Sequence, residues 1–385
     1  MSDIQYIDTP EKLEQLCQAI KNESWVTVDT EFLREKTYYP KFCLLQLATS
    51  SWVACVDPLA LPELDTLFAI LNSPDIIKIF HSCRQDQEIF YQLTGTLLQP
   101  IFDTQVAAPL LGFQENPGYG MLVSGLLNIN LSKAYTRTDW SMRPLSREQL
   151  EYAADDVIYL ARIYRIIMQK LTELGRVDWL QEDFARLTDP RLYQSTPENA
   201  WLRIKGRQKL TGRQLSIIQA LTAWRERTAQ QENRPRNWLL RDDLLLNLAK
   251  LQPVSLPELS AVHGINERSV RRYGKQLCRL IGEARERPPV KLENDRQAFK
   301  KTPQQEAVLD VLNAIVRVRA EQNSLNPSVL ATRKDLEKLL FEDPGCVLLH
   351  GWRFSMVGEE LRDVLQGHLL LSLQSGEIQI TRNSA

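Results

Sequence analysis

The sequence predicts an α/β domain with a mixed sheet over residues 1–185, followed by two all-α domains over residues 201–287 and 302–377. Three observations carry this. In the first half, short β-type apolar runs alternate with stretches of helical spacing, the pattern of a layered α/β arrangement. After about residue 185 the strand pattern stops and amphipathic helical spacing takes over. The net charge of −1 also conceals a partition, since residues 1–185 carry about −10 and residues 201–287 about +10. A chain of 385 residues has room for two or three domains, each with its own core.

Val26 to Phe32 reads as a strand. Phe42 to Thr49 and Ser51 to Val56, separated by a tight Ser-Ser turn, read as a hairpin. Leu61 to Leu71 has helical spacing, and Ile76 to Phe80 is a short buried strand feeding a helix from Asp86 to Leu93. Ile101-Phe102 leads to Asp103, a candidate N-cap for a helix through Val106 to Leu110. Ser146-x-x-Gln149 is a capping box opening a long amphipathic helix that runs to about Leu174. The two later segments run from Ala200 to about Glu286 and from Thr302 to about Gln374. They are separated by Pro288-Pro289 and the charged run Lys291 to Lys301. Arg236-Asn237-Trp238-Leu239 with Gly264-Ile265 parallels Asn326-Pro327-Ser328 with Gly351-Trp352-Arg353, which suggests a diverged duplication.

With 43% hydrophobic and 25% charged residues the composition is that of an ordinary globular protein. No apolar run approaches the roughly 18 residues of a membrane helix, and Met1-Ser2-Asp3-Ile4 opens no signal peptide, so a cytoplasmic protein without a membrane partner is expected. Six scattered cysteines without Cys-x-x-Cys predict reduced thiols, and the four histidines form no zinc pattern. No Gly-x-x-x-x-Gly-Lys-Ser/Thr loop is present, which argues against a helicase motor. Joining an acidic domain to a basic one suits a protein that presents a polyanion to a metal-loaded carboxylate site.

Asp29-Thr30-Glu31 ends the apolar run Trp25-Val26-Thr27-Val28. Strand period two projects Asp29 and Glu31 from one face, where a shared hard divalent cation would relieve their repulsion. Asp86 follows His81 at a strand-to-helix junction, where open α/β folds place their sites. Taken alone, Asp86 also suits a helix N-terminus, and His81 a packed junction. Tyr152 and Asp156 sit at i and i+4 on one helical face, while Asp155 points elsewhere.

These segments together resemble ribonuclease D. The resemblance rests on Val28-Asp29-Thr30-Glu31-Phe32, Thr37-Tyr38-Tyr39-Pro40, Cys43-Leu44-Leu45-Gln46-Leu47, His81 to Asp86, and Asp139-Trp140-Ser141-Met142-Arg143-Pro144-Leu145 leading into Tyr152 to Asp156. It covers essentially the whole chain. Trp224-Arg225-Glu226, Arg234-Pro235-Arg236 and Gly264-Ile265 match a C-terminal helicase-and-ribonuclease-D (HRDC) domain, and Gly351-Trp352-Arg353 marks a weaker second one. The resemblance implies a ribonuclease H-like fold of the DEDD exonuclease type and a 3′-5′ exoribonuclease. It would release 5′-mononucleotides from RNA with a free 3′ end, tRNA precursors in particular, as a monomer. Ser132 and Ser82-Cys83 depart from the family's usual residues without removing a metal ligand.

Carried over by position, Asp29, Glu31, Asp86 and Asp156 would ligate two divalent ions, Mg²⁺ or Mn²⁺. Asp29, Glu31 and Asp156 would hold the nucleophile-side ion, and Asp29 with Asp86 the second. Tyr152 is the fifth catalytic residue; a free tyrosine has a pKa near 10, so it is expected to orient water and not to act as the base. Phe32 is either core or a contact to the terminal nucleotide, and His81 is a further candidate substrate contact. Arg203, Lys205, Arg207, Lys209, Arg268, Arg271, Arg272 and Lys275 are candidate phosphate contacts in the basic domain. The acids alone leave open a DNA exonuclease, and a silent nucleic-acid-binding module is the competing reading from another class.

Overall fold

The computed structural model describes all residues except Met1, Ser2, Lys133, Ala134, Thr136, Arg137, Ser195, 291–300, Ser384 and Ala385. All of the charged linker read at Lys291 to Lys301 except Lys301 thus lies outside the described residues. Two compact units are formed, one from Met1–Glu31, Leu44–Asp189 and Ala298–Ala385, the other from Phe32–Cys43 and Pro190–Gln297.

The sheet of the first unit has six strands: β1 (Gln5–Ile7), β2 (Trp25–Leu33), β3 (Lys41–Ala48), β4 (Val53–Val56), β5 (Ile77–Phe80) and β6 (Ile101–Asp103). Their order is β1-β4-β3-β2-β5-β6. β2/β5, β5/β6 and β1/β4 are parallel and β3/β4 antiparallel, a mixed sheet as expected. Val26, Cys43, Leu44, Leu45 and Leu47 are fully buried, which explains why these strands read as near-continuous apolar runs. Helices α1 (Pro10–Ile20), α2 (Asp65–Leu71), α3 (Arg84–Thr94), α4 (Thr104–Ala107), α5 (Tyr119–Leu127) and α6 (Arg147–Glu173) complete this part.

α6 opens with the Ser146/Gln149 capping box, and Asp103 caps α4 by accepting from the Gln105 amide. α2 begins at Asp65 and not at Leu61, because Pro62 has no N–H and restricts the residue before it. The β3–β4 turn is also longer than expected: Thr49 N–H donates to the Trp52 carbonyl, and the Thr49 hydroxyl accepts from Ser51 N–H, so β4 starts only at Val53. β1, α1 and α5 are not among the elements the sequence predicts; β1 spans three residues, and both β1 and α1 lie before the first strong apolar run.

α7 (Gln181–Leu187) precedes the helical region, which contains α8 (Gly212–Gln231), α9 (Arg236–Leu239), α10 (Asp242–Leu251), α11 (Leu256–Ser260) and α12 (Glu267–Glu286). In the second unit the segment following β2 packs on α8. Tyr38 donates its hydroxyl to Glu226, and Asn233 Oδ1 accepts the amides of Tyr38 and Tyr39. α13 (Pro303–Gln322), α14 (Pro327–Leu330) and α15 (Arg333–Leu340) repeat the start of that plan. α8 and α13 are both 20-residue helices opened by a Thr capping box, and each is followed by a four-residue helix. Leu309, Leu312, Ile315 and Val316 share one apolar core with Leu160, Ile163 and Ile167 of α6. The helical reading of this segment holds through α16 (Gly351–Arg353) and α17 (Glu359–Leu365), joined by a π-helical stretch. Beyond it, Leu369–Gln374 and Glu377–Arg382 form an antiparallel ribbon, β7 and β8, where the sequence predicts helix as far as about Gln374. Turn residues Ser375 and Gly376, both at positive φ, close that ribbon.

Candidate active site

Thr27 fixes the site's geometry. Its hydroxyl lies 2.9 Å from the Ala48 carbonyl of β3 and 3.1 Å from the Val157 carbonyl of α6, pinning that helix across the sheet. Strand alternation puts Asp29 and Glu31 on the same face as Thr27, and Asp156 precedes Val157 on the helix. Carboxylate oxygens of Asp29, Glu31 and Asp156 lie within 4.8 Å of one another. Asp86, in the first turn of α3, accepts a 2.5 Å hydrogen bond from the Thr30 hydroxyl, so the residue between the two strand acids reaches the acid of the His81–Asp86 segment.

The junction that delivers Asp86 is held by Asp103, whose carboxylate accepts the amides of Ser82, Cys83 and Gln105 at 2.8 to 2.9 Å. Ser82 adopts a φ of 66°, a conformation few side chains tolerate, and this clamp sustains it. Neither Asp103 nor Thr30 stood out in the sequence, although Asp103 was visible as a cap.

All four acids have raised pKa values, with burial the leading cause in each. Asp29 is pushed to about 6. Glu31 rises to about 9, driven also by the charges of Asp29, Asp156 and Asp86. Asp156 rises to about 8 with Asp29 and Asp155 adding to burial, and Asp86 lies well above its ordinary value through burial and Asp29. No Lys or Arg ion-pairs with any of them among the described residues. Buried oxygen donors that repel one another and lack a counter-charge fit a hard divalent cation, which would restore all four to their charged forms.

Tyr152 borders a cavity of about 180 Å³ together with Asp156, Tyr135 and Ser132, and Asp155, which the helical spacing sets on another face, lines it as well. Tyr119, which sequence reading missed, donates its hydroxyl to the Asp156 carbonyl and so holds α6 at the position of the acid. His81 is mostly buried and its pKa is lowered by burial, which keeps the ring neutral at pH 7. The Thr104 hydroxyl donates to the Phe80 carbonyl, so its oxygen accepts from His81 Nδ1, and Asp103 and the Pro117 backbone carbonyl act on the ring against burial. Phe32 is partly buried near the end of β2.

In the second unit Arg203, Lys205, Lys209, Arg268, Arg271 and Lys275 are exposed, and no ion pair of theirs is present among the described residues. Arg272 pairs with Glu232 at 2.8 Å and lies over the Tyr273 ring. Arg207 is half-buried.

Comparison with known proteins agrees with this geometry. Residues 4–172 match the 3′-5′ exonuclease family and residues 214–281 the HRDC domain. Ribonuclease D of Gluconacetobacter diazotrophicus is 36% identical over 377 residues, covering 97% of this chain and 95% of the relative. Ribonuclease D of Acidiphilium cryptum is 37% identical over 377 residues, covering 97% and 96%. The chain belongs to the ribonuclease D family. Among solved structures, Escherichia coli RNase D, described as an exoribonuclease involved in structured RNA processing, superposes with a TM-score of 0.81 at 31% identity, over 94% of this chain and 99% of that one. The protein is therefore a 3′-5′ exoribonuclease, a hydrolase that acts on RNA with divalent metal. No described helix is long and apolar enough to cross a membrane.

Proposed function

We propose that Asp29, Glu31, Asp86 and Asp156 hold two divalent cations, Mg²⁺ or Mn²⁺, and that Tyr152 orients the attacking water. On this reading the protein removes 5′-mononucleotides one at a time from RNA with a free 3′ end, tRNA precursors among its substrates. The observation that carries it is the convergence of three carboxylates within 4.8 Å with no cationic partner among the described residues. When bound, the cations supply water of lowered pKa and stabilise the charge that develops on the departing 3′-oxygen.

On the family pattern Asp29, whose charge acts on Glu31, Asp86 and Asp156, is the ligand common to both ion positions. Glu31 and Asp156 complete the nucleophile side, and Asp86, steadied by Thr30, the leaving-group side. Tyr152 acts by hydrogen bonding, since a free tyrosine, with a pKa of about 10, is a poor base. His81, a ring that burial keeps neutral, and Phe32 are assigned to the terminal nucleotide.

The working division of the chain is an exonuclease domain over 1–185, a basic HRDC domain over 201–287 and a diverged HRDC-like domain over 302–377. Arg203, Lys205, Arg207, Arg271 and Arg272 are assigned to phosphates of the substrate. The protein is taken to work as a monomer in the cytoplasm, where its six buried cysteines, none of them in a disulfide, stay reduced. The test is hydrolysis of 3′-labelled RNA and DNA with Mg²⁺ or Mn²⁺, compared with Asp29→Asn and with chelator. Release of 5′-mononucleotides from RNA, abolished by either change, is expected; cleavage that survives both would sink the assignment.

A further inference from the structure

Tyr152 does not stand alone on α6. Its ring lies against the indole of Trp140, with centroids 6.1 Å apart and planes 28° from parallel. Tyr135 closes the other approach edge-on at 5.8 Å. Trp140 is only 3% exposed, although it belongs to the connection between α5 and α6 and to no helix or strand. A buried indole in a loop needs something to hold the loop.

Arg143 supplies that hold. Its Nη1 donates to the carbonyls of Trp140 and Met142 at 2.8 and 2.7 Å. The rest of the guanidinium forms a two-pronged pair with Asp57, Nε to Oδ2 at 2.6 Å and Nη2 to Oδ1 at 2.7 Å. Asp57 follows β4 directly and is 1% exposed; its carboxylate also accepts from the Tyr6 hydroxyl of β1 at 2.5 Å and from the Leu59 amide. Asp139 tightens the same turn by accepting the Ser141 amide and hydroxyl. An unbroken series of contacts thus runs from β1 and β4 through Asp57 and Arg143 to Trp140 and onto the Tyr152 ring. A planar arginine fork can satisfy a carboxylate and two carbonyls at once, which a lysine ammonium does not reproduce.

We propose that Trp140, anchored by the Arg143–Asp57 pair, is a positioning residue that fixes the Tyr152 phenol over the cavity it shares with Asp156. This rests on the reading of Tyr152 as the water-orienting group. The aromatic slot formed by Trp140 and Tyr135 removes ring rotamers that would swing the hydroxyl away, and misplacement of a reacting group by about 1 Å can cost on the order of a hundredfold in rate.

The experiment measures kcat and KM on 3′-labelled RNA with Mg²⁺ for the full chain and for Trp140→Leu, Trp140→Phe, Arg143→Lys, Tyr152→Phe and the double variant Trp140→Leu/Tyr152→Phe. It is paired with the Tyr152 ring-carbon resonance in metal-free, ¹³C-tyrosine-labelled protein, assigned through Tyr152→Phe. Trp140→Leu is expected to lower kcat by about 10- to 100-fold with KM little changed. Trp140→Phe should restore most of that loss, and the double variant should be no slower than Tyr152→Phe within about twofold. The Tyr152 resonance should shift or broaden in Trp140→Leu and Arg143→Lys. An equal loss from Trp140→Leu in both backgrounds, or an unmoved resonance in both variants, overturns the positioning role and leaves the catalytic reading intact. Full activity in Tyr152→Phe overturns the role of Tyr152 and the positioning role with it, whereas Asp29→Asn tests the metal site separately.

Discussion

The acids of the exonuclease site and the bases of the first HRDC region treat charge in opposite ways. At the site, four carboxylates are drawn together where burial raises every pKa and neighbouring carboxylates add to the rise at Glu31, Asp86 and Asp156, and no cationic side chain among the described residues relieves them. In the basic region many arginines are already matched: Arg225 with Asp242, Arg227 with Glu198, Arg234 and Arg272 with Glu232, Arg236 with Glu226. Unrelieved like charge at a convergent point is costly to maintain and marks a place built around a missing counter-charge. A positively charged region with internal partners is mostly ordinary helical surface, and on the proposed reading its phosphate contacts come chiefly from the exposed residues that form no ion pair among the described residues.

The contrast is broken most severely at Asp29. Asp29→Asn should remove several kcal/mol of transition-state stabilisation, about a thousandfold in rate, while leaving the fold intact; steady-state hydrolysis with Mg²⁺ reads this out. Tyr152→Phe should cost less, about a hundredfold in kcat with KM nearly unchanged, because a hydrogen bond is lost while every ligand remains.

The basic region should respond in affinity and hardly in kcat. Replacing Arg203, Lys205 and Arg271, which form no ion pair among the described residues, by Ala should weaken RNA binding and reduce the slope of log K against log salt by up to about 2, at roughly 0.7 per phosphate contact on a single strand. Arg272→Ala, which breaks an existing pair with Glu232, should change that slope less. Fluorescence titration at several salt concentrations separates the two, and equal slopes for wild type and the triple variant would remove these residues from the interface.

Stability against pH sharpens the comparison from the other side. Raised carboxyl values mean that the metal-free folded protein retains protons the unfolded chain has released, so its stability falls as pH rises from the ordinary carboxyl range through the folded values of about 6, 8 and 9 for Asp29, Asp156 and Glu31. His81 works oppositely, its contribution being lost as pH falls from the ordinary imidazole value of about 6.5 towards its lowered folded value, so it leaves the range above pH 7 untouched. Between about pH 7 and pH 9 the melting temperature without metal should drop, and added Mg²⁺ should shrink the drop. A flat profile without metal would contradict the electrostatics of the site.

Much of this was legible in the sequence because the site residues obey local periods. Asp29 and Glu31 follow the strand period, Tyr152 and Asp156 the helical i, i+4 spacing, and Ser146 with Gln149 announces the helix that carries them. What escaped depends on long-range contacts. Thr30 reaches Asp86 across 56 positions, Tyr119 reaches Asp156 across 37, and Asp57 reaches Arg143 across 86, and no spacing rule connects such pairs. The association of Leu309 and Ile315 with α6 was hidden for the same reason, since an amphipathic helix declares a face without naming its partner. β7 and β8 escaped because Leu370 and Leu373 are exposed, so burial does not impose a pattern there.

Proton release on cation binding tests the central claim most directly. Titrating Mn²⁺ into metal-free protein at pH 7, in buffers of different ionisation enthalpy, counts the protons displaced. With Glu31 at about 9 and Asp156 at about 8, wild type should bind with net proton release that vanishes above about pH 9, and Asp29→Asn should lose most of the binding. Mn²⁺ binding without proton release, or binding that Asp29→Asn leaves unchanged, would contradict the account.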